Sequence, residues 1–127
     1  MKKILHSNQA PAAIGPYSHG IQTDSLIFIS GQLPIDQTTG EFAGQSIEEQ
    51  TRQCLMNVKY ILESANVSLN HVVKTTVYLK NISDFTAMNS VYAEFFKMDC
   101  PARSAFEVVN LPKDALVEIE VIATTNV

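Results

Sequence analysis

Tryptophan is absent from this chain, charge is sparse, and none of the compact motifs that announce a cofactor or a nucleophile is present. Charged residues make up 17% of the 127 positions, against 46% hydrophobic ones. So thin a charged surface predicts that some apolar surface is covered by another copy of the chain. Basic residues are outnumbered 9 to 13, for a net charge of −4. Lys2, Lys3, Lys59, Lys74 and Lys80 are scattered rather than clustered, which argues against nucleic acid as the main ligand, since phosphate binding needs a basic patch. The two cysteines, Cys54 and Cys100, have no metal-ligand spacing and read as free thiols of a reducing cytosol. His6, His19 and His71 cluster with neither, so no metal site is expected. A phosphate loop, a dinucleotide fingerprint and a serine elbow are all missing. The start, Met1-Lys2-Lys3-Ile4-Leu5-His6-Ser7, has the charge of a signal peptide without its long apolar segment, and no run reaches membrane-spanning length. The expectation is one cytoplasmic domain spanning residues 1–127, with no membrane association.

The segments that remain are short and well punctuated. Gly20-Ile21-Gln22-Thr23 and Leu26-Ile27-Phe28-Ile29-Ser30-Gly31 flank a turn at Asp24-Ser25 and predict a hairpin. Thr38-Thr39-Gly40 marks another turn. Ser46-Ile47-Glu48-Glu49 has the spacing of a capping box. The helix it opens gathers Ile47, Cys54, Leu55, Val58, Ile61, Leu62 and Ala65 on one face, and Asn66 is its expected stop. Val72 to Leu79 is rich in valine and threonine and reads as a strand. A second helix starts near Ser83-Asp84, carries Phe85, Met88, Tyr92, Phe95 and Phe96 at helical spacing, and cannot pass Pro101. Two β-like runs close the chain, Pro101 to Val109 and Leu116 to Ala123. The order predicts an α+β sandwich: one sheet with both helices on one face, the other face left to be covered by assembly.

Charges inside those last two runs are the chief chemical signal. A guanidinium or carboxylate in an apolar strand needs a partner. Alternation puts Arg103, Ala105, Glu107 and Val109 on one face of the first run, and Leu116, Glu118, Glu120 and Ile122 on one face of the second. If the two form a hairpin, Glu120 lies opposite Ala105 and Glu118 opposite Glu107, and every charge shares a face. Arg103 is then either a structural ion-pair partner of a glutamate or a fork offered to a ligand carboxylate, with a glutamate as general base. The residues alone leave both open. Gly15-Pro16-Tyr17-Ser18-His19-Gly20 is a turn with an exposed ring or a binding loop; Ser30-Gly31-Gln32 is a strand exit or a close approach to a ligand. Asn89 on the second helix faces solvent or a site.

Taken together, Gly15-Pro16-Tyr17-Ser18, Ser30-Gly31-Gln32, Asn89 ahead of Tyr92, Pro101-Ala102-Arg103-Ser104 and Leu111-Pro112-Lys113-Asp114, ending in Val117-Glu118-Ile119-Glu120, resemble the RidA/YjgF (reactive intermediate deaminase) family over essentially the whole chain. The resemblance implies a chorismate-mutase-like α+β fold and a homotrimer with ligand clefts between subunits. It also implies cofactor-free hydrolysis of 2-iminobutanoate and 2-iminopropanoate to 2-keto acids and ammonia. It assigns Arg103 to the substrate carboxylate and Glu118 to the catalytic water, and sets Tyr17, Ser30, Gly31 and Asn89 along the cleft. Many members have a cysteine where this chain has Ala105, so a thiol nucleophile is not expected here; the Ala105 carbonyl remains available to the imine nitrogen. A non-catalytic sensor of small carboxylates using the same cleft is the rival reading, and a nuclease or translation-inhibitor role fits the acidic charge poorly.

Overall fold

The computed structural model describes residues 1–126. Eight strands and two α-helices follow one another as β1 (Lys3–Leu5), β2 (Gly20–Gln22), β3 (Leu26–Gln32), β4 (Ile35–Asp36), β5 (Glu41–Phe42), α1 (Ile47–Ser64), β6 (Val72–Leu79), α2 (Phe85–Phe95), β7 (Ala102–Glu107) and β8 (Val117–Thr124). Six of the strands form one mixed sheet in the order β1-β2-β3-β8-β6-β7, parallel at β6–β7 and antiparallel elsewhere, while β4 and β5 make a separate small hairpin. The architecture is the expected α+β one, with both helices on a single face of the main sheet.

Local chemistry explains the two helices. Ser46 Oγ accepts from the Glu49 amide at 3.1 Å while the Glu49 carboxylate accepts from the Ser46 amide at 3.3 Å, so the predicted capping box satisfies two donors at the start of α1. At the other end Asn66 takes the left-handed conformation (φ 60°) that ends helices, one residue past the Ala65 cap. Leu55, Val58, Ile61 and Leu62 are fully buried and share one core with Ile27 of β3 and Val117 and Ile119 of β8. Each such side chain contributes about 1.5–3 kcal/mol by leaving water. Met88 and Tyr92 of α2, and Phe96 just past its end, join the same core. An exposed Arg52–Glu94 pair, 3.0 Å apart, bridges the two helices and adds little.

The last two strands are where the sequence reading fails. β7 and β8 do not pair: β6 lies between them, parallel to β7 and antiparallel to β8. The connection over residues 108–116 is long enough to step across the end of β6, and it is bonded there on both sides, Val108 N–H to Leu79 O (2.9 Å) and Lys80 N–H to Leu116 O (2.9 Å). The hairpin expectation treated neighbours in sequence as neighbours in space. With β6 inserted, Arg103 stands beside Thr75, which is wholly buried under the helices, whereas Glu118 stands beside Tyr78 on the opposite face. The charges therefore do not share a face.

Two buried amides in α1, unremarked in the sequence, tie loops to this frame. Asn57 Nδ2 donates to Leu33 O and Ile35 O, both at 3.0 Å, and its Oδ1 accepts from Gln53 Nε2 at 2.8 Å. Gln50 Oε1 accepts from Leu116 N–H at 2.8 Å and Gln50 Nε2 donates to Gly44 O at 3.0 Å. Both side chains are nearly inaccessible. Replacing Asn57 by alanine strands two carbonyls in the interior, and the expected loss is about 2–4 kcal/mol of unfolding free energy in urea denaturation. A loss below about 0.5 kcal/mol, the range of a neutral surface change, would show that this clamp is dispensable.

Candidate functional site

The predicted site residues fall into two groups. On the face away from the helices, a cleft of about 420 Å³ is lined in part by Tyr17, Ser30, Gly31, Pro112, Glu118 and Glu120. It exists because β3 is irregular: the pairing with β8 runs Ile29↔Val121 and resumes at Gln32↔Ile119, so Ser30 and Gly31 together oppose Glu120. Such a bulge bends the strand and re-aims its side chains. Ser30 Oγ donates to Ser18 O at 2.6 Å, anchoring the loop that carries Tyr17. Gly31 lies directly against the Glu118 carboxylate, and a β-carbon at that position would collide with it. Glycine is needed here for space, because its φ is not one that side chains avoid.

The carboxyl groups in this cleft are under electrostatic pressure. Glu118 is half-buried between strands whose inward residues are apolar, and desolvation pushes its pKa above the usual 4.5, with the neighbouring Glu120 pushing the same way. Burial is the larger cause. Across the same face, desolvation and then Glu120 raise the Tyr78 phenol above its ordinary 10.0.

Arg103 and Ala105 on β7, the free edge of the sheet, and Asn89 on α2 above it form the second group. Arg103 Nη1 donates to Asn89 Oδ1 at 2.7 Å. Its guanidinium carbon sits 4.7 Å from the Tyr92 ring centroid and 5.4 Å from that of Phe85. Tyr92 is itself fixed by a 2.7 Å hydrogen bond between its hydroxyl and that of Thr75, the residue beside Arg103 on β6. Among the described residues no carboxylate lies within ion-pair distance of Arg103. Glu107, the partner suggested by alternation, is occupied with the Ile82 amide at 2.9 Å. The arginine is thus held by two aromatic faces and one amide, which leave most of its N–H donors unspent. Ala105 lies two residues on, beside Val77. Because the Val108 N–H points to β6, alternation directs the Ala105 carbonyl to the unpaired edge.

Phe85, Asn89 and Tyr92 recur at helical spacing, and that spacing was the available signal that Asn89 faces Arg103 together with two rings. Glu120 shares the face of Glu118 by alternation, whereas Pro112 as a cleft residue had no such signal, since its placement depends on the crossing loop. Between the two groups stand β6 and the plane of the sheet, about 10 Å of lateral separation and opposite faces. Among the described residues no three His, Cys, Asp or Glu side chains come together as a metal site, and no helix is long and apolar enough to cross a membrane.

Comparison with known proteins places this geometry. The chain is 54% identical to a RutC family protein of Pyrococcus horikoshii, over 97% of this chain and 98% of that one. It is 42% identical to the 2-iminobutanoate/2-iminopropanoate deaminase of Mus musculus, over 97% and 91%. The crystal structure of E. coli TdcF with bound serine superposes with a TM-score of 0.92 at 41% identity, covering 96% of this chain and 98% of that one. Residues 7–125 match the profile described as Endoribonuclease L-PSP. With the whole cleft and the edge-strand arginine inside the matched span, the chain belongs to the endoribonuclease L-PSP (RutC/YjgF) family, which includes relatives named as reactive intermediate deaminases.

Proposed function

We propose that this protein hydrolyses small 2-imino acids, 2-iminobutanoate and 2-iminopropanoate among them, to 2-keto acids and ammonia. The observation that carries the reading is a half-buried arginine without a carboxylate partner among the described residues, most of its donors free for a ligand carboxylate. The relative with bound serine, a small amino acid, supports a ligand of that size and charge. Glu118 supplies the second requirement, a carboxylate whose raised pKa brings it closer to neutrality and so makes it a stronger base for a water.

The reaction needs little more. The substrate carboxylate pairs with Arg103, which fixes the iminium carbon relative to Glu118. Glu118 takes a proton from water as the oxygen bonds to that carbon and the C=N π pair moves to nitrogen. Protonated Glu118 returns that proton to the nitrogen, near the Ala105 carbonyl; the C–N bond then breaks and ammonia leaves, as the hydroxyl gives its proton to the Glu118 carboxylate and the carbonyl forms. Tyr17, Ser30 and Gly31 shape the cleft, and Asn89 orients Arg103. Glu118 carries each of these proton transfers.

One copy cannot bring the two groups to a single small substrate, because they occupy opposite faces. We therefore read the site as shared between copies, in a cytoplasmic homotrimer. An apolar row supports it: Ile4, Ile21, Phe28 and Ile122 are cross-strand neighbours on the face away from the helices, with Ile4 62% and Phe28 42% exposed. A nuclease role is less well supported, since the cleft carries Glu118 and Glu120, which repel a phosphate backbone.

Coupled turnover tests the chemistry: a dehydratase generates the imine and keto-acid release is followed. Arg103→Ala is expected to lose at least about 100-fold in kcat/KM, the scale of a lost orienting group. Glu118→Gln should lose turnover by about 10²–10⁴-fold while still binding a small carboxylate. Turnover at the wild-type rate by Arg103→Ala would end the proposal, and an unchanged Glu118→Gln would favour the sensor. The pH profile adds a signed check. Glu118 must be ionised to act, so kcat/KM falls as pH drops through its raised pKa, above 4.5. Glu120→Gln removes the like charge and shifts that acid limb to lower pH; an upward shift would contradict the assignment. Assembly is read by light scattering, where wild type should have three times the chain mass and Phe28→Glu should be smaller.

A further inference from the structure

His19 is 4% exposed, yet both of its ring nitrogens are engaged. Nδ1 accepts from the Ser7 amide at 3.2 Å, and Nε2 lies 2.6 Å from Pro11 O. An amide donor at one nitrogen and a carbonyl acceptor at the other define a neutral ring carrying its proton on Nε2. The main-chain oxygen of His19 accepts from Ser30 N–H at 2.9 Å, so the residue is also fastened to β3 where the bulge begins. Residues 6–19, between β1 and β2, contain no helix or strand. The other hydrogen bonds of residues 9–17 span only two or three positions, Gln9 N–H to Ser7 Oγ, Tyr17 N–H to Gly15 O and Ile14 N–H to Tyr17 Oη. The His19 ring ties the first half of this loop to the second, alongside two other attachments to the body of the fold, Ala10 buried in the core and Ser18 O, which accepts from Ser30 Oγ. The loop in turn supplies Ile14 and Tyr17 to the cleft that holds Glu118.

We propose that His19 is a positioning residue which, in its neutral form, clasps the 7–18 loop against β3 and so fixes Tyr17 at the cleft. Protonation turns Nδ1 into a donor facing the Ser7 donor and leaves a largely buried cation beside the His6 ring. The titratable group that faces the ring is His6, stacked on it at 4.9 Å between centroids and 7° between planes. Ser7 and Pro11 from the loop, and Ser30 from β3, are uncharged. Burial, and then His6, lower the His19 pKa from the usual 6.5, while the Pro11 bond opposes them. With the folded pKa below the unfolded one, the open loop binds more protons than the closed loop, so closure is favoured above about pH 6.5 and weakens as pH falls.

The test is amide hydrogen exchange of the full chain across pH 5–7.5, each rate divided by its intrinsic value at that pH. Wild type should protect peptides within residues 8–18 at pH 7.5, and the corrected rate should climb by up to about tenfold per pH unit on acidification. His19→Gln, whose amide accepts from Ser7 and donates to Pro11 without titrating, should stay protected throughout. His19→Ala should be open at both ends of the range, with α1 and β6 exchanging as in wild type. A flat wild-type profile, or a His19→Gln profile that tracks wild type, overturns the clasp. Its consequence for turnover rests on the deaminase reading, but the exchange measurement uses no substrate, so the two can fail separately.

Discussion

β6 separates β7 from β8, and the chemistry of the molecule is arranged around that insertion. A hairpin of the last two strands would have put Arg103 among three glutamates and closed it into an internal ion pair. With β6 between them, the arginine is left on a free edge under α2, and Glu118 and Glu120 are left on the opposite face with no cation within ion-pair distance among the described residues. Both kinds of charge remain uncompensated inside the chain, a costly arrangement for a fold with stability as its only demand. On the proposed function, a ligand carboxylate and a neighbouring copy would supply the missing partners.

The cleft is assembled from irregularities, each satisfied by a specific bond. The bulge at Ser30-Gly31 makes room for Glu118, and Ser30 ties down Ser18. Asn57 holds the carbonyls of Leu33 and Ile35, and Gln50 holds Leu116 just before β8. A raised carboxyl pKa is sustainable only while these supports keep water partly out, so the supports and the basicity of Glu118 form one unit. The His19 clasp belongs to the same unit, because the loop it holds forms the cleft's outer wall.

Much of this could be read from the sequence, for identifiable reasons. The capping box at Ser46, the α1 stripe, the β2–β3 hairpin and the Val72–Leu79 strand are local patterns, and each is present. The placement of β7 and β8 is not local: alternation gives faces within a strand but says nothing about which strand lies beside it. Short elements escaped as well. β1 carries only three residues and the β4–β5 hairpin two on each side, too few for a period to register. The buried amides of Gln50 and Asn57 look like ordinary surface choices on a helix until the loops they hold are known. Tyr17, Ser30, Gly31, Asn89, Arg103, Ala105 and Glu118 were all expected in one cleft; within the chain Tyr17, Ser30, Gly31 and Glu118 line one cleft, while Arg103, Asn89 and Ala105 meet elsewhere.

The arginine's surroundings bear on the question its sequence context raised: among the described residues it has no glutamate partner. The alternatives were a glutamate or an exchangeable anion, and a glutamate would have satisfied the guanidinium's fork and left it nothing to offer. Tyr92 and Phe85 attract the cation through their ring faces, which stabilises it without using its N–H groups. Asn89 takes one N–H with a neutral oxygen. Lysine at this position would keep the charge but lose both the planar stacking and the fork. The aromatic cradle therefore does what an ion pair could not: it keeps a partly buried cation in one orientation while leaving its charge available.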